Sequence, residues 1–145
     1  MPKKIICTHS PAETEEAGRE LARGLQGGCV VAFFGGLGMG KTAFVRGMAT
    51  GRSLRAEVSS PTFALVHDYG GDPPLVHFDM YRIAGWEDLY STGYFDYLDQ
   101  GAILAVEWSE HIENALPADA IRVTFEGAGD TDRRITIDDR RNPTS

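Results

Sequence analysis

Apolar and polar positions along the chain follow two different periods, and the places where the period changes mark the elements. Lys3-Lys4-Ile5-Ile6-Cys7 predicts a short first strand. Ser10-Pro11-Ala12-Glu13 is a capping box with Pro at the first helical position. After it, Ala17, Leu21, Ala22 and Leu25 recur at helical spacing on one face. Glu15, Glu16, Arg19, Glu20 and Arg23 lie largely elsewhere, as a solvated face, and Gln26-Gly27-Gly28 closes this helix. Cys29-Val30-Val31-Ala32-Phe33-Phe34 is a continuous apolar run, hence a strand covered on both sides. A helix is predicted over residues 41–49, broken by Thr50-Gly51-Arg52-Ser53.

Further along, Phe63-Ala64-Leu65-Val66-His67-Asp68-Tyr69 alternates. Gly70-Gly71-Asp72-Pro73-Pro74 turns the chain and Leu75-Val76-His77-Phe78 returns, the pattern of a β-hairpin. Trp86-Glu87-Asp88-Leu89-Tyr90 is helix-compatible up to Gly93, whereas Tyr94-Phe95-Asp96-Tyr97-Leu98 has no clear period. Ala102-Ile103-Leu104-Ala105-Val106 reads as a second central strand. Residues 109–116 form a short helix closed by Pro117, and the runs 120–125 and 133–137 make a final hairpin. The alternation of strands and helices predicts an α/β fold, a single domain over residues 1–145 with a mixed, largely parallel central sheet, β-hairpins and flanking helices. A short disordered tail is expected from about residue 140.

Between the strand ending at Phe34 and the helix opening at Lys41 stands Gly35-Gly36-Leu37-Gly38-Met39-Gly40-Lys41-Thr42, the full spacing of a phosphate-binding loop. Each fixed residue type answers a need of a bound triphosphate. Glycines bring backbone N–H groups close to phosphate oxygens, and the helix start adds free donors and the positive end of its dipole. Lys41 supplies a cation for the β and γ oxygens, and the Thr42 hydroxyl suits Mg²⁺. The cofactor set implied is therefore ATP, or another nucleoside triphosphate, with Mg²⁺. Ligands of open α/β sheets lie beyond the carboxyl ends of the strands, where two acids follow apolar runs: Asp79 and Glu107. Glu107 is the first choice to complete the metal site. Asp79 either orients or deprotonates the attacking water or holds the metal's hydration shell. Ser59-Ser60-Pro61-Thr62 has two readings of equal standing, a nucleotide-sensing loop and an ordinary turn. His67 and His77 supply no argument for a metal site, and Trp86 and Trp108 read as core or interface aromatics.

Composition narrows the partners. The formal charge of −7 disfavours autonomous, strong nucleic-acid binding, which normally calls for a basic surface. No apolar run approaches a membrane span, and residues 1–6 lack the long core of a signal peptide, so a cytoplasmic location is expected. Cys7 and Cys29, the only two cysteines, both adjoin apolar residues and are expected as buried reduced thiols. Lysine occurs only at positions 3, 4 and 41. The Asn/Thr-Lys-x-Asp element with which GTPase switches usually read guanine is thus missing, which favours ATP. A small-molecule kinase would need an acceptor pocket and an Arg-rich lid, which Arg82 and the aromatic stretch 94–98 could only mimic. A nucleotide-sensing adaptor without hydrolysis is a further alternative.

With these pieces placed, the chain closely resembles the TsaE family (formerly YjeE), small bacterial P-loop ATPases of tRNA threonylcarbamoyladenosine synthesis. The resemblance rests on residues 35–42, Arg46-Gly47, Ser60-Pro61-Thr62-Phe63, His77-Phe78-Asp79-Met80-Tyr81-Arg82 and Val106-Glu107-Trp108-Ser109-Glu110, all in family order. It departs at Gly36, where the family usually has Asp, and at Met39, where it usually has Ala. The resemblance implies that Lys41 and Thr42 hold phosphates and Mg²⁺, that Glu107 completes the metal site, and that Asp79 is needed for hydrolysis. It also sets Arg133 near the adenine, with the turn from Thr8 to Ser10 opposite it. A partner is implied as well, the TsaB–TsaD pair that makes N6-threonylcarbamoyladenosine (t6A) in ANN-decoding tRNAs, with ATP hydrolysis supporting turnover of that complex.

Overall fold

The structure is a computed structural model that describes residues 3–35, 40–52, 66–127 and 132–140. Among the described residues seven strands form one sheet in the order β1-β7-β6-β2-β5-β4-β3. They are β1 (Lys3–Thr8), β2 (Val30–Phe34), β3 (Val66–Gly71), β4 (Pro74–Asp79), β5 (Ile103–Glu107), β6 (Ile121–Gly127) and β7 (Arg133–Asp138). The central four, β6-β2-β5-β4, run parallel, and antiparallel partners flank them: β3 beside β4, and β7 then β1 beside β6. Both predicted hairpins are present, as β3–β4 and β6–β7.

The unbroken apolar runs of β2 and β5 are explained by cover on both sheet faces. On one face Val31, Phe33, Leu75, Ala105, Val123 and Ile135 pack under helices α1 (Pro11–Arg23) and α2 (Lys41–Gly51), with Phe33, Phe44 and Phe125 edge-to-face. On the other, Val30, Val76, Phe78, Leu104 and Val106 pack with α3 (Trp86–Ser91), α4 (Tyr94–Asp99) and a 3₁₀ segment (Ser109–Ala115).

Helix α1 starts as its capping box requires: Ser10 Oγ accepts from the Glu13 amide at 3.2 Å, and Glu13 Oε1 accepts from the His9 amide at 3.0 Å. It ends earlier than its apolar spacing suggests. Gly24, not Gln26-Gly27-Gly28, closes the last turn, its amide bonding back to Leu21 O, and Leu25 reaches the core from outside the helix. The aperiodic stretch after Gly93 is helical as α4, entered through Gly93 in the left-handed conformation, φ 83°. Six residues are too few to display a 3.6-residue period.

Cys29 is buried as expected, but Cys7 is exposed. The strand that carries it is the sheet's edge, and its outward side chains, Ile5 included, face no covering layer. Residues 36–39, the loop Ser59-Ser60-Pro61-Thr62 and, except for Arg140, the tail expected from about residue 140 lie outside the described residues.

Candidate active site

Because β2, β4 and β5 run parallel, their carboxyl ends share one edge of the sheet, and that edge collects Gly35, Asp79 and Glu107. The two acids are direct register partners, and the Met80 amide donates to Glu107 O at 3.0 Å, carrying the ladder one step beyond the strands. Their spacing is therefore fixed by backbone hydrogen bonds. Asp79 is half-buried, and its Oδ1 accepts from the Tyr81 amide at 2.9 Å. Glu107 is only 8 % exposed, with its Oε2 2.6 Å from Nε2 of His77, which is wholly buried.

Lys41 opens α2 directly after Gly40, whose φ of 92° is left-handed, the conformation that favours glycine, and where a Cβ would stand 3.4 Å from the Thr14 methyl. Lys41 is only 4 % exposed, and its ammonium donates to Gly35 O at 2.7 Å and stands 5.0 Å from the centroid of the Trp108 ring. Burial pushes the Lys41 pKa below its ordinary value, and the carboxylates of Glu107, Glu110 and Asp79 pull against that shift. Thr42 follows, half-buried in the first turn of the same helix. Gly35 has φ 120°, and any Cβ there would stand 2.5 Å from Phe125 O, so the turn out of β2 accepts glycine alone.

Trp108 is the one non-glycine residue of positive φ among the described residues, at φ 59° and ψ 41°. Such a conformation in a bulky residue is unfavourable and is held only by strong surroundings. Tyr81 and His111 supply them, with ring centroids 4.8 and 5.6 Å from the indole, while Ser109 Oγ bonds Val106 O at 2.9 Å. The reversal at Trp108 brings Glu110 back toward β2, where its Oε2 accepts from the Gly35 amide at 3.2 Å.

Ser10 and Arg133 stand at the same edge of the sheet, on the β1–β7 side. Thr8 and Arg133 are register partners, and His9 Nδ1 lies 3.0 Å from Asp132 Oδ1. That carboxylate raises the His9 pKa. The Ser10 hydroxyl serves as the cap of α1, and Arg133 Nη1 donates to Asp132 O at 2.8 Å. Thr8 and Thr14, their hydroxyls 2.8 Å apart, connect this corner to Gly40.

Lys41, Asp79 and Glu107 thus converge as the sequence reading expects, with Ser10 and Arg133 a few strands away on the same rim. Two residues join the site to which the sequence alone assigns no role there. His77 precedes Asp79 by two positions in an alternating strand, so it shares the face of that acid, a signal available from period alone. Glu110 follows Glu107 by three, but only the turn at Trp108 reveals its target. Among the described residues the donors gathered here are hydroxyl and carboxylate oxygens beside a buried ammonium, with the His77 imidazole against Glu107 and no thiolate or thioether among them. Such a set fits Mg²⁺ and a polyphosphate.

The family model described as "Threonylcarbamoyl adenosine biosynthesis protein TsaE" matches residues 8–135. The chain belongs to the TsaE family. Among its relatives, the tRNA threonylcarbamoyladenosine biosynthesis protein TsaE of Treponema pallidum is 34% identical over 130 residues, covering 90% of this chain and 96% of that one. The TsaE protein of Streptomyces coelicolor is 41% identical over 129 residues, 84% of this chain and 87% of that one. A crystal structure of YdiB from Bacillus subtilis superposes with a TM-score of 0.81 at 30% identity, covering 97% of this chain and 88% of that one. A family role in threonylcarbamoyladenosine biosynthesis and an α/β fold with a YdiB-like sheet are therefore properties of this TsaE-family chain.

Proposed function

We propose that this chain is an Mg²⁺-dependent ATPase that supports t6A synthesis through the TsaB–TsaD pair, in the cytoplasm. The observation that carries the reading is the convergence of Lys41, Asp79 and Glu107 at the carboxyl edge of the sheet, around the opening of α2. In this reading the backbone of Gly35, Gly36, Leu37, Gly38, Met39 and Gly40 cradles the phosphates, Lys41 Nζ exchanges Gly35 O for phosphate oxygens, and Ser10 and Arg133 border the adenine. Thr42 and Glu107 would hold Mg²⁺, which when bound would neutralise phosphate charge. Asp79, one oxygen already taken by the Tyr81 amide, presents the other to the attacking water, orienting it and accepting its proton as the γ phosphorus–oxygen bond breaks to leave ADP and phosphate. Burial of Lys41 and Glu107 keeps bulk water from weakening these electrostatic contacts.

The acidic charge supports a protein-docking subunit over an autonomous tRNA binder. Among the described residues no helix is long and apolar enough to cross a membrane. The test is calorimetric titration with ATP and GTP in Mg²⁺, followed by phosphate release with and without purified TsaB–TsaD. Preference for ATP and faster release with the pair are expected. Equal affinity for the two nucleotides, or phosphate appearing on a small-molecule acceptor, would replace this reading with another P-loop class.

A further inference from the structure

We propose that His77 is a positioning residue for the metal-binding carboxylate, holding Glu107 through a buried hydrogen bond so that one oxygen is fixed and the other is left for the metal. This inference rests on the ATPase reading above. His77 and Glu107 project from the same face of the sheet, since the register partner of His77 is Ala105 and Glu107 lies two residues further along β5. The 2.6 Å separation joins Nε2 to Oε2. An ionised carboxylate only accepts, so Nε2 carries the hydrogen and the bond is of the short, charge-assisted kind.

The far nitrogen supplies the second argument. Among the described residues His77 Nδ1 is buried and has no hydrogen-bond partner. A side chain needed only to fill this layer, among Leu75, Ala105 and Ile103, would do so without leaving a polar atom unsatisfied. The imidazole is retained at that expense and directs its one satisfied nitrogen at Glu107. Tyr69 steadies the ring from β3, with centroids 6.3 Å apart and planes 31° from parallel.

The third argument concerns Lys41. Its ammonium and the Glu107 carboxylate attract each other in a buried setting, yet they form no ion pair: Lys41 Nζ bonds Gly35 O, and Glu107 bonds His77. A direct pair would neutralise the cation meant for phosphate and the anion meant for metal together. Tethering Glu107 from behind keeps the two charges apart and available.

The test uses the full chain with His77→Gln, His77→Asn and His77→Phe. The glutamine amide nitrogen falls near the position of Nε2, whereas that of asparagine falls near Nδ1, so only His77→Gln retains a donor for Glu107. ATP affinity is measured by calorimetry in EDTA, and Mn²⁺ affinity of the ATP complex by electron paramagnetic resonance. Expected are EDTA affinities within about twofold of wild type for all three, and Mn²⁺ binding weakened about 10–100-fold in His77→Asn and His77→Phe but rescued in His77→Gln. Unchanged Mn²⁺ affinity in His77→Asn and His77→Phe would overturn the role, as would equal loss in all three variants. Should His77→Phe alone fail to fold, Glu107→Ala/His77→Phe is compared with Glu107→Ala, because an all-apolar pair strands no charge. No further loss of Mn²⁺ affinity supports the tether, and an additional loss refutes it. A wild-type chain without metal-dependent ATP binding would refute the ATPase reading itself, whereas wild-type binding with indifferent variants refutes only the role of His77.

Discussion

At Lys41 two effects oppose one another, burial disfavouring the ammonium and three carboxylates favouring it, and the hydrogen bond to Gly35 O lies where a stronger acceptor would compete. Lys41→Ala removes the charge that a triphosphate would meet, and a charge-assisted hydrogen bond in such a place is worth about 1.5–3 kcal/mol. Calorimetry should therefore show ATP affinity falling by at least about tenfold. Asp79→Ala leaves the loop and Lys41 in place. ATP binding should stay within a few-fold of wild type while turnover drops by about 10²–10⁴, the range for loss of a positioned general base. Normal hydrolysis by that variant would remove Asp79 from the mechanism. Both acids were legible in the sequence because each ends an apolar run, and run ends are where a parallel sheet opens to solvent. Glu110 was not, because its reach to the Gly35 amide depends on a left-handed tryptophan, a conformation no hydrophobic pattern announces.

Helices α1 and α2 approach until backbone meets backbone. A Cβ on Gly18 would collide with the carbonyl oxygen of Phe44, and one on Gly47 with that of Glu15, while Gly51 lies against Arg19 O. Neither carbonyl can swing aside as a flexible side chain could, so Gly18→Ala or Gly47→Ala must separate the helices. A cost of about 1–3 kcal/mol is expected, read as a melting point lower by about 2–4 °C for each kcal/mol. Gly24→Ala is the control: its φ of −102° suits any residue and its nearest neighbour is 3.9 Å away, so little change is expected. The existence of α1 was legible from Ser10, Pro11 and Glu13, whose roles are local. The value of Gly18 and Gly47 was not, because within one helix a glycine only weakens it, and its benefit exists only once the partner helix is in place.

For the molecule as a whole, alkaline stability has an identifiable contributor. Tyr94 joins α4 to the 3₁₀ segment, its hydroxyl donating to Ala115 O at 3.2 Å, and burial raises its pKa from 10.0 to about 12. A phenol whose folded pKa is raised gives its full stabilisation below the unfolded value and loses it as the unfolded chain ionises first. Stability should therefore fall from about pH 10 to about pH 12. Denaturant melts across that window should show a shallower decline in Tyr94→Phe. The charge of −7 makes a second global statement: at physiological salt the isolated chain should fail to retain tRNA in a filter-binding assay, and retention would contradict the docking-subunit reading. That exclusion was legible from composition alone, whereas the placement of Tyr94 needed the packing of two short helical segments that share no sequence period.

The cation above Trp108 also has an optical consequence. Of the two tryptophans, Trp86 is 53 % exposed on α3 and Trp108 lies under Lys41. In Trp86→Phe a single indole remains, and its emission is set in part by the ammonium 5.0 Å from its centre. Any ligand that draws Lys41 away should change the colour or yield of that fluorescence, so the protein carries its own unlabelled gauge of where its phosphate-binding lysine is.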